Sequence, residues 1–166
     1  MTEHETDLKV LAERVGQLLL AHEAKLATAE SCTGGWIAKC LTDVPGSSAW
    51  FEYGFVTYGN SAKESMLVVD HALLERHGAV SREVVQAMAV AAHAISEADI
   101  VIAVSGIAGP DGGTEDKPVG TVWLAWLGPR GRANSAVFHF DGDREAVRRQ
   151  SVVAALNGAL KQLADG

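Results

Sequence analysis

The chain has 166 residues, with 14 Lys and Arg against 21 Asp and Glu, which gives a formal net charge of −7. Affinity for nucleic acid comes mainly from Lys and Arg that neutralise phosphates, so this acidic balance argues against a nucleic-acid partner. Hydrophobic residues make up 48% and charged residues 21%, a balance typical of folded chains. The length predicts one domain over residues 1–166, large enough to bury a core without disulfide or metal.

The sequence gives no sign of export or membrane insertion. The N-terminal stretch MTEHETDLKV is acidic and polar and lacks the basic and apolar regions of a signal peptide. No apolar run reaches the roughly 18 residues that a membrane span needs. If Cys32 and Cys40 lie on one helix, they are about 12 Å apart, too far for a disulfide. We therefore expect a cytoplasmic protein with reduced thiols and no membrane contact.

Hydrophobic spacing and turn residues predict alternating helices and strands in the first half of the chain. Leu8, Leu11 and Val15 recur at helical spacing, and the aromatic and β-branched residues after position 50 favour a strand. The predicted elements are, in order, a helix over about 6–23, a strand over Lys25–Glu30, a helix over Thr33–Leu41, a strand over Phe51–Tyr58, and short helices over Ala62–Leu67 and His71–Arg76.

The second half predicts two long helices, a buried strand and a hairpin. Ser81 is a natural N-cap for an amphipathic helix over Val84–Ile95. The other predicted elements are an apolar strand over Asp99–Val104, two strands over Val119–Leu127 and Arg132–Phe140 joined at Gly128–Gly131, and a last helix that starts near Asp143. This order predicts an α/β fold, a three-layer α/β/α sandwich with a mixed, mostly parallel sheet.

Three segments that follow predicted strands are rich in small and polar residues: ESCTGG at 30–35, YGNSAK at 58–63 and SGIAGPDGG at 105–113. Sites in open α/β sheets lie at the carboxyl ends of strands, so these three loops could form one site. The third loop has the wrong spacing for GxGxxG, and no GK[ST] follows it. It is either a surface loop or a nest of backbone donors that holds an anionic group.

Ser31 lies in the first of these loops, at a strand-to-helix turn. The unpaired N–H groups of a helix start can stabilise an oxyanion, and Gly34 and Gly35 would let a substrate approach the backbone. A serine nucleophile at this turn is one interpretation. The other is that Ser31 or Thr33 simply caps the following helix.

A serine nucleophile needs a base, and no histidine stands in a strand-end loop beside an orienting acid. The histidines are His4, His22, His71, His77, His93 and His139. Lys63 is the alternative, provided that burial and a helix N-terminus lower its pKa by about three units from ~10.4. Lys63 could equally be an exposed helix lysine. The spacings HExxH and CxxC are absent, so we expect no metal site.

Five motifs follow one another along the chain: AESCTGG at 29–35, the turn over 58–63, HGAVS at 77–81, SGIAGPDGG at 105–113 and KPVGTV at 117–122, with Gly-Asp-Arg at 142–144 before the last helix. Together they resemble the CinA C-terminal domain family, which includes stand-alone nicotinamide mononucleotide deamidases. The resemblance implies hydrolysis of nicotinamide mononucleotide to nicotinic acid mononucleotide and ammonia, in pyridine nucleotide salvage and without cofactor or metal. Longer family members carry a separate N-terminal domain, for which 166 residues leave no room.

The same resemblance implies that Ser31 is the nucleophile and Lys63 its base. Tyr58 would tune Lys63, line the pyridine pocket or belong to the core. The remaining candidates are Thr33 and Gly34 for the oxyanion, Gly106 and Gly109 for substrate binding, and Lys117, Arg144 and Arg148 for the 5′-phosphate. An arginine of the last helix could equally be a solvated surface residue. Gly59 stands where the family is associated with a small polar residue, which affects the shape of that turn.

Alternatives remain at this stage. Cys32 could be the nucleophile, because a thiol at a helix N-terminus can have a depressed pKa, or a small buried hydrophobe. The chain could also be a nucleotide-binding module without catalysis, or an amidase for another small amide. Exposed apolar surface could build a homo-oligomer.

Overall fold

A computed structural model describes residues 6–165, in which helices cover both faces of one five-stranded sheet. The helices are α1 (Leu8–Ala21), α2 (Trp36–Thr42), α3 (Asn60–Leu67), α4 (His71–His77), α5 (Arg82–Ser96) and α6 (Arg144–Ala164). The strands are β1 (Leu26–Glu30), β2 (Phe51–Val56), β3 (Ile100–Gly106), β4 (Thr121–Leu127) and β5 (Ala133–His139). A single 3₁₀ turn, Ser47–Ala49, precedes β2.

The strand order is β2-β1-β3-β4-β5. Strand β1 pairs in parallel with β2 and β3, whereas β4 pairs antiparallel with both β3 and β5. Four strands therefore run in one direction and β4 opposes them. The predicted α/β class with a mixed sheet is confirmed.

Each face of the sheet carries a buried apolar cluster that the helices cover. Residues of β3 alternate between the two clusters, because successive side chains of a strand point to opposite faces. Ile100, Ile102 and Val104 face the cluster built with α1, α2 and α6, while Val101 and Ala103 face the cluster built with α5. All five side chains are fully buried. Helix α5 crosses this second face and contacts all five strands, and α3 and α4 add Leu67 and Leu74 to its cluster.

Local signals placed the helix starts correctly at two positions. The Ser81 hydroxyl accepts from the Val84 N–H at 3.3 Å, and the Asp143 carboxylate accepts from the Ala146 N–H at 2.9 Å, so α5 and α6 begin where their caps predict. The start of α2 was predicted three residues early. Gly34 and Gly35 have φ of +60° and +99°, a left-handed backbone that cannot continue a helix.

Strand ends differ more modestly from the prediction. Strand β2 ends at Val56 rather than Tyr58, and β4 begins at Thr121 rather than Val119. In both cases the excluded residues belong to loops that lie at the candidate site. Among residues 6–165, no helix combines the length and the apolar character that crossing a bilayer requires.

Candidate active site

Two of the three predicted loops meet directly at the carboxyl ends of neighbouring parallel strands. Ser31 follows β1, and Lys63 lies on the first turn of α3, which follows β2. The Lys63 Nζ atom lies 2.9 Å from the Ser31 Oγ atom. Ser31 is 7% exposed and Lys63 1% exposed, so the contact is shielded from bulk water. Lys63 is therefore not the exposed helix lysine that was its alternative.

Two backbone carbonyls hold the amine of Lys63. Its Nζ lies 2.8 Å from the Thr57 oxygen and 3.0 Å from the Tyr58 oxygen. A neutral amine has two N–H groups for these carbonyls and one lone pair, which can face the Ser31 hydroxyl. Burial lowers the pKa of Lys63 to about 8. No carboxylate ion-pairs with Lys63 among residues 6–165, so nothing of that kind offsets the effect of burial.

The Ser31 hydroxyl can adapt to either protonation state of Lys63. Its Oγ lies 3.2 Å from the Tyr58 carbonyl oxygen as well as 2.9 Å from Nζ. When the amine is neutral, the hydroxyl donates to Nζ. When the amine is charged, Nζ donates to Oγ and the hydroxyl turns to the Tyr58 carbonyl. The Ser31 hydroxyl is therefore hydrogen-bonded in both protonation states of Lys63.

Glu30 is a site residue that the sequence analysis missed. Its fully buried carboxylate accepts from the Thr33 hydroxyl at 2.6 Å and from the N–H groups of Ile37 and Ala38 at 2.9 and 3.1 Å. Glu30 therefore caps α2 from within the preceding strand, and neither Ser31 nor Thr33 is the cap. Rules that look for a short polar residue directly before a helix do not detect a glutamate seven residues from its donor partner, the Ile37 N–H.

The turn that carries Ser31 leaves few backbone donors for an oxyanion. The Gly34 N–H donates to the Ser31 carbonyl at 3.0 Å, so the prediction that it serves the oxyanion is not compatible with this geometry. Within the described part of the chain, the N–H groups of Thr33 and Gly35 have no acceptor. The Cys32 N–H has no oxygen acceptor there either, so these three are the donors that remain at this turn.

Arg148, one of the three predicted phosphate ligands, binds backbone carbonyls of the Ser31 turn. Arg148 donates from Nε to the Cys32 carbonyl at 3.0 Å and from Nη2 to the Thr33 carbonyl at 3.1 Å, while its guanidinium stacks over Trp36 at 5.5 Å. Arg148 therefore holds the Ser31 turn against α6. With two of its donor atoms committed to carbonyls, it is poorly disposed to bind a phosphate as well.

Arg144 joins the second and third loops. Its Nη1 donates to the Gly109 carbonyl at 2.8 Å, and its Nη2 lies 2.9 Å from the Tyr58 hydroxyl. Tyr58 is 58% exposed, which excludes the alternative of a core tyrosine. Its ring stands at the rim of the site, while its carbonyl binds Lys63 and Ser31.

Lys117 lies apart from this cluster. Its Nζ donates to the His77 carbonyl at 2.7 Å, at the connection between α4 and α5. In the third loop, Gly109 has φ +82° and a side chain there would collide with Val119, whereas Gly106 packs closely on Val122 of β4. These two glycines are required by the path of the loop itself.

The cysteines and histidines among the described residues build no competing site. Burial raises the pKa of Cys32 to about 12, which is opposite to the activation that a thiolate nucleophile needs. His71 lies between Glu64 and Glu75, and His93 contacts the Ala98 carbonyl. His4 lies outside the described residues. Between residues 6 and 165 no cluster of three or more His, Cys, Asp or Glu is arranged to hold a metal ion.

The fold and the buried Ser31–Lys63 pair define an α/β domain whose candidate active site lies at the carboxyl edge of a mixed sheet. The chain belongs to the CinA C-terminal domain family, whose model matches residues 8–163. The resemblance noted from the motifs is thereby confirmed.

Relatives that are named for an enzymatic activity match nearly the whole chain. A nicotinamide-nucleotide amidohydrolase PncC from Escherichia coli K12 is 53% identical over 158 residues, which cover 95% of this chain and 96% of that protein. A protein of the same name from Pseudomonas putida is 57% identical over 154 residues, covering 93% and 96% of the two chains. A crystal structure of a CinA superfamily protein from Klebsiella pneumoniae superposes with a TM-score of 0.92 at 39% identity, covering 96% and 99%.

Proposed function

We propose that this protein hydrolyses the carboxamide of nicotinamide mononucleotide, giving nicotinic acid mononucleotide and ammonia in pyridine nucleotide salvage. The observation that carries the proposal is the buried contact of 2.9 Å between Lys63 Nζ and Ser31 Oγ. It occurs in a chain that is 53–57% identical to proteins named nicotinamide-nucleotide amidohydrolase. A serine and a low-pKa lysine in contact are suited to amide hydrolysis through an acyl-enzyme.

The reaction begins with neutral Lys63. Its lone pair takes the proton of the Ser31 hydroxyl as Oγ attacks the carboxamide carbon, which forms a tetrahedral oxyanion. The N–H groups of Thr33 and Gly35 are the proposed donors to that oxyanion. The Lys63 ammonium returns the proton to the departing nitrogen, and ammonia leaves. Water then hydrolyses the nicotinoyl ester of Ser31, which frees the serine and releases the carboxylic acid product.

Arg144 is the strongest remaining candidate for the 5′-phosphate. It is exposed at the N-terminus of α6, between Tyr58 and Gly109, where the positive end of the helix dipole also favours an anion. The Tyr58 ring lies beside it and is suited to stack on a pyridine. Arg144 gives one donor atom to a carbonyl, that of Gly109, whereas Arg148 gives two, and Lys117 lies apart from the cluster with its amine on the His77 carbonyl.

We also propose that the protein is a single domain that works in the cytoplasm as a homo-oligomer. Cys32 and Cys40 are both buried and reduced, in keeping with a reducing compartment. Strand β5 leaves one edge of the sheet open, which favours association.

The test is ammonia release from nicotinamide mononucleotide in the presence of EDTA. We expect activity in the wild type, in Cys32→Ala and in Lys39→Ala, a matched control that removes an exposed lysine. We expect Ser31→Ala and Lys63→Ala to release none, although Ser31→Ala should still bind the nucleotide in a thermal-shift assay. A folded wild type that binds the nucleotide and releases no ammonia would identify a binding module instead.

A further inference from the structure

Strand β5 forms one edge of the sheet, and no strand among residues 6–165 pairs with its outer side. The Phe140 N–H donates to the Gly120 carbonyl at 2.9 Å, and the Gly128 N–H donates to the Arg132 carbonyl at 3.1 Å. Because bonded pairs alternate along an antiparallel ladder, the even-numbered residues of β5 bond to β4. The odd-numbered residues direct their N–H and C=O groups outward. They are Ala133, Ser135, Val137 and His139.

This edge lacks the usual protection against pairing with another strand. Across Ala133–His139 the sequence ANSAVFH has no proline and no Lys, Arg, Asp or Glu. Its register against β4 runs from Thr121–His139 to Leu127–Ala133 without a bulge. Natural edge strands are normally blocked by charges, prolines or bulges, so a regular, uncharged edge of seven residues is a template for pairing.

An apolar groove of about 950 Å³ runs beside the edge, between β5 and α6. Phe138 and Phe140 line it with their rings stacked at 5.2 Å, and Val153 and Ala154 of α6 form its other wall. Both aromatic rings remain partly exposed. A partner that extended the sheet would cover this groove at the same time.

The two ends of β5 carry opposite charges. Arg130 and Arg132 are exposed at the hairpin turn, whereas Asp141, Asp143 and Glu145 are exposed after the strand. None of these five side chains forms an ion pair within residues 6–165. Antiparallel pairing of two identical strands brings the basic end of each against the acidic end of the other, so this edge is complementary to itself.

We propose that two copies of this chain form a dimer by antiparallel pairing of β5, with the two-fold axis at Ala136. Ser135 then faces Val137 of the partner subunit, and Ala133 faces His139 of the partner subunit. This register places all four outward residues opposite outward residues and uses the full strand. The small Ala136 side chain lies at the axis, where a non-hydrogen-bonded pair brings Cα atoms to about 4.5 Å. The result is a continuous sheet of ten strands.

The first test is the mass in solution, followed by a cross-link. Sedimentation equilibrium of the full chain should give twice the monomer mass of 17.5 kDa. Ala136→Cys should form a disulfide-linked dimer under mild oxidation, because its Cα separation suits a disulfide. Asn134→Cys lies on the same face of the same strand, but the two copies of residue 134 would be about 13 Å apart. It should not cross-link, and both natural cysteines are buried.

A charge swap tests the antiparallel arrangement. Arg132→Glu should raise the dissociation constant of the dimer roughly tenfold at low salt, and adding Asp141→Arg should restore it, because the reversed charges face each other again. A monomer at 17.5 kDa under these conditions overturns the interface. So does a dimer in which Asn134→Cys cross-links as readily as Ala136→Cys, or one in which the second charge change weakens association further. This interface does not depend on amidase activity, and neither set of results decides the other.

Discussion

Replacing Lys63 by Met removes the proposed base and keeps most of the buried volume of the side chain. We expect kcat to fall by about 10³-fold or more, since both general-base catalysis and activation of the nucleophile are lost. Lys63→Arg should be about as inactive, because a guanidinium does not lose its proton in proteins and cannot accept one from Ser31. If Lys63 acted only as a fixed cation, arginine would retain a substantial part of the activity.

The pKa of Lys63 sets the size of the pH effect. With a pKa of about 8, about one tenth of the side chains are neutral at pH 7. At the ordinary value of 10.5 the neutral fraction would be roughly one in three thousand. In the proposed mechanism the neutral amine is the active form, so kcat/KM of the wild type should rise with pH, reach half its plateau near pH 8, and level off above it.

The lowered pKa of Lys63 also predicts how the free energy of unfolding changes with pH. Between pH 8 and 10.5 the unfolded chain binds more protons at Lys63 than the folded chain does, so the free energy of unfolding should rise with pH through that window. Below pH 8 the folded state carries the full cost of the buried charge. Lys63→Met should therefore melt at a higher temperature than the wild type at pH 7, which also shows that its inactivity is not misfolding.

The assay is initial-rate ammonia release from nicotinamide mononucleotide between pH 6 and 10, with melting temperatures of each variant measured in the same buffers. A wild-type profile that is flat across this range would refute the assignment of Lys63 as the base. So would more than about a tenth of wild-type activity in Lys63→Arg, since the loss of a positioned general base costs at least ~10²-fold.

Two further changes probe the scaffold of the site. Glu30→Gln replaces one carboxylate oxygen by an NH₂ group that faces backbone or hydroxyl donors. We therefore expect kcat to fall by about tenfold to a hundredfold with little change in KM. Glu52→Gln at an exposed ion pair is the control, and an unchanged kcat in Glu30→Gln would contradict a positioning role. Val68 ends α3, where its N–H donates to the Lys63 carbonyl, and it has φ +53° and is 80% exposed. Val68→Gly should therefore raise the free energy of unfolding by about 1 kcal/mol in urea titrations. A decrease would show that the left-handed backbone at this residue carries no strain.

The parts of the fold that could be predicted are those whose signals are local. Helix α5 has an apolar periodicity and a cap at Ser81, and the β4–β5 hairpin has a turn with two glycines. These signals need no knowledge of the rest of the chain. The strand order cannot be predicted from local signals, because nothing in the sequence of Leu26–Glu30 indicates that this strand lies between β2 and β3.

The candidate site divides in the same way. Ser31 and Lys63 could be proposed from their turns and from family motifs, but the contact between them depends on the parallel pairing of β1 and β2. Glu30 was missed because it occupies a strand position and acts on a helix that starts later. Arg148 was assigned to a phosphate because a basic residue on a helix gives no sign that backbone carbonyls lie in front of it.

The carbonyls of Thr57 and Tyr58 hold the Lys63 amine without any help from the serine hydroxyl. When Ser31 is esterified and its proton is gone, these two anchors remain, and the nitrogen lone pair still points at the acylated oxygen. The Lys63 amine would then be in position to accept a proton from a water molecule that attacks the ester. In the proposed mechanism one amine can therefore serve both acylation and deacylation, without a second base or a rearrangement between the two steps.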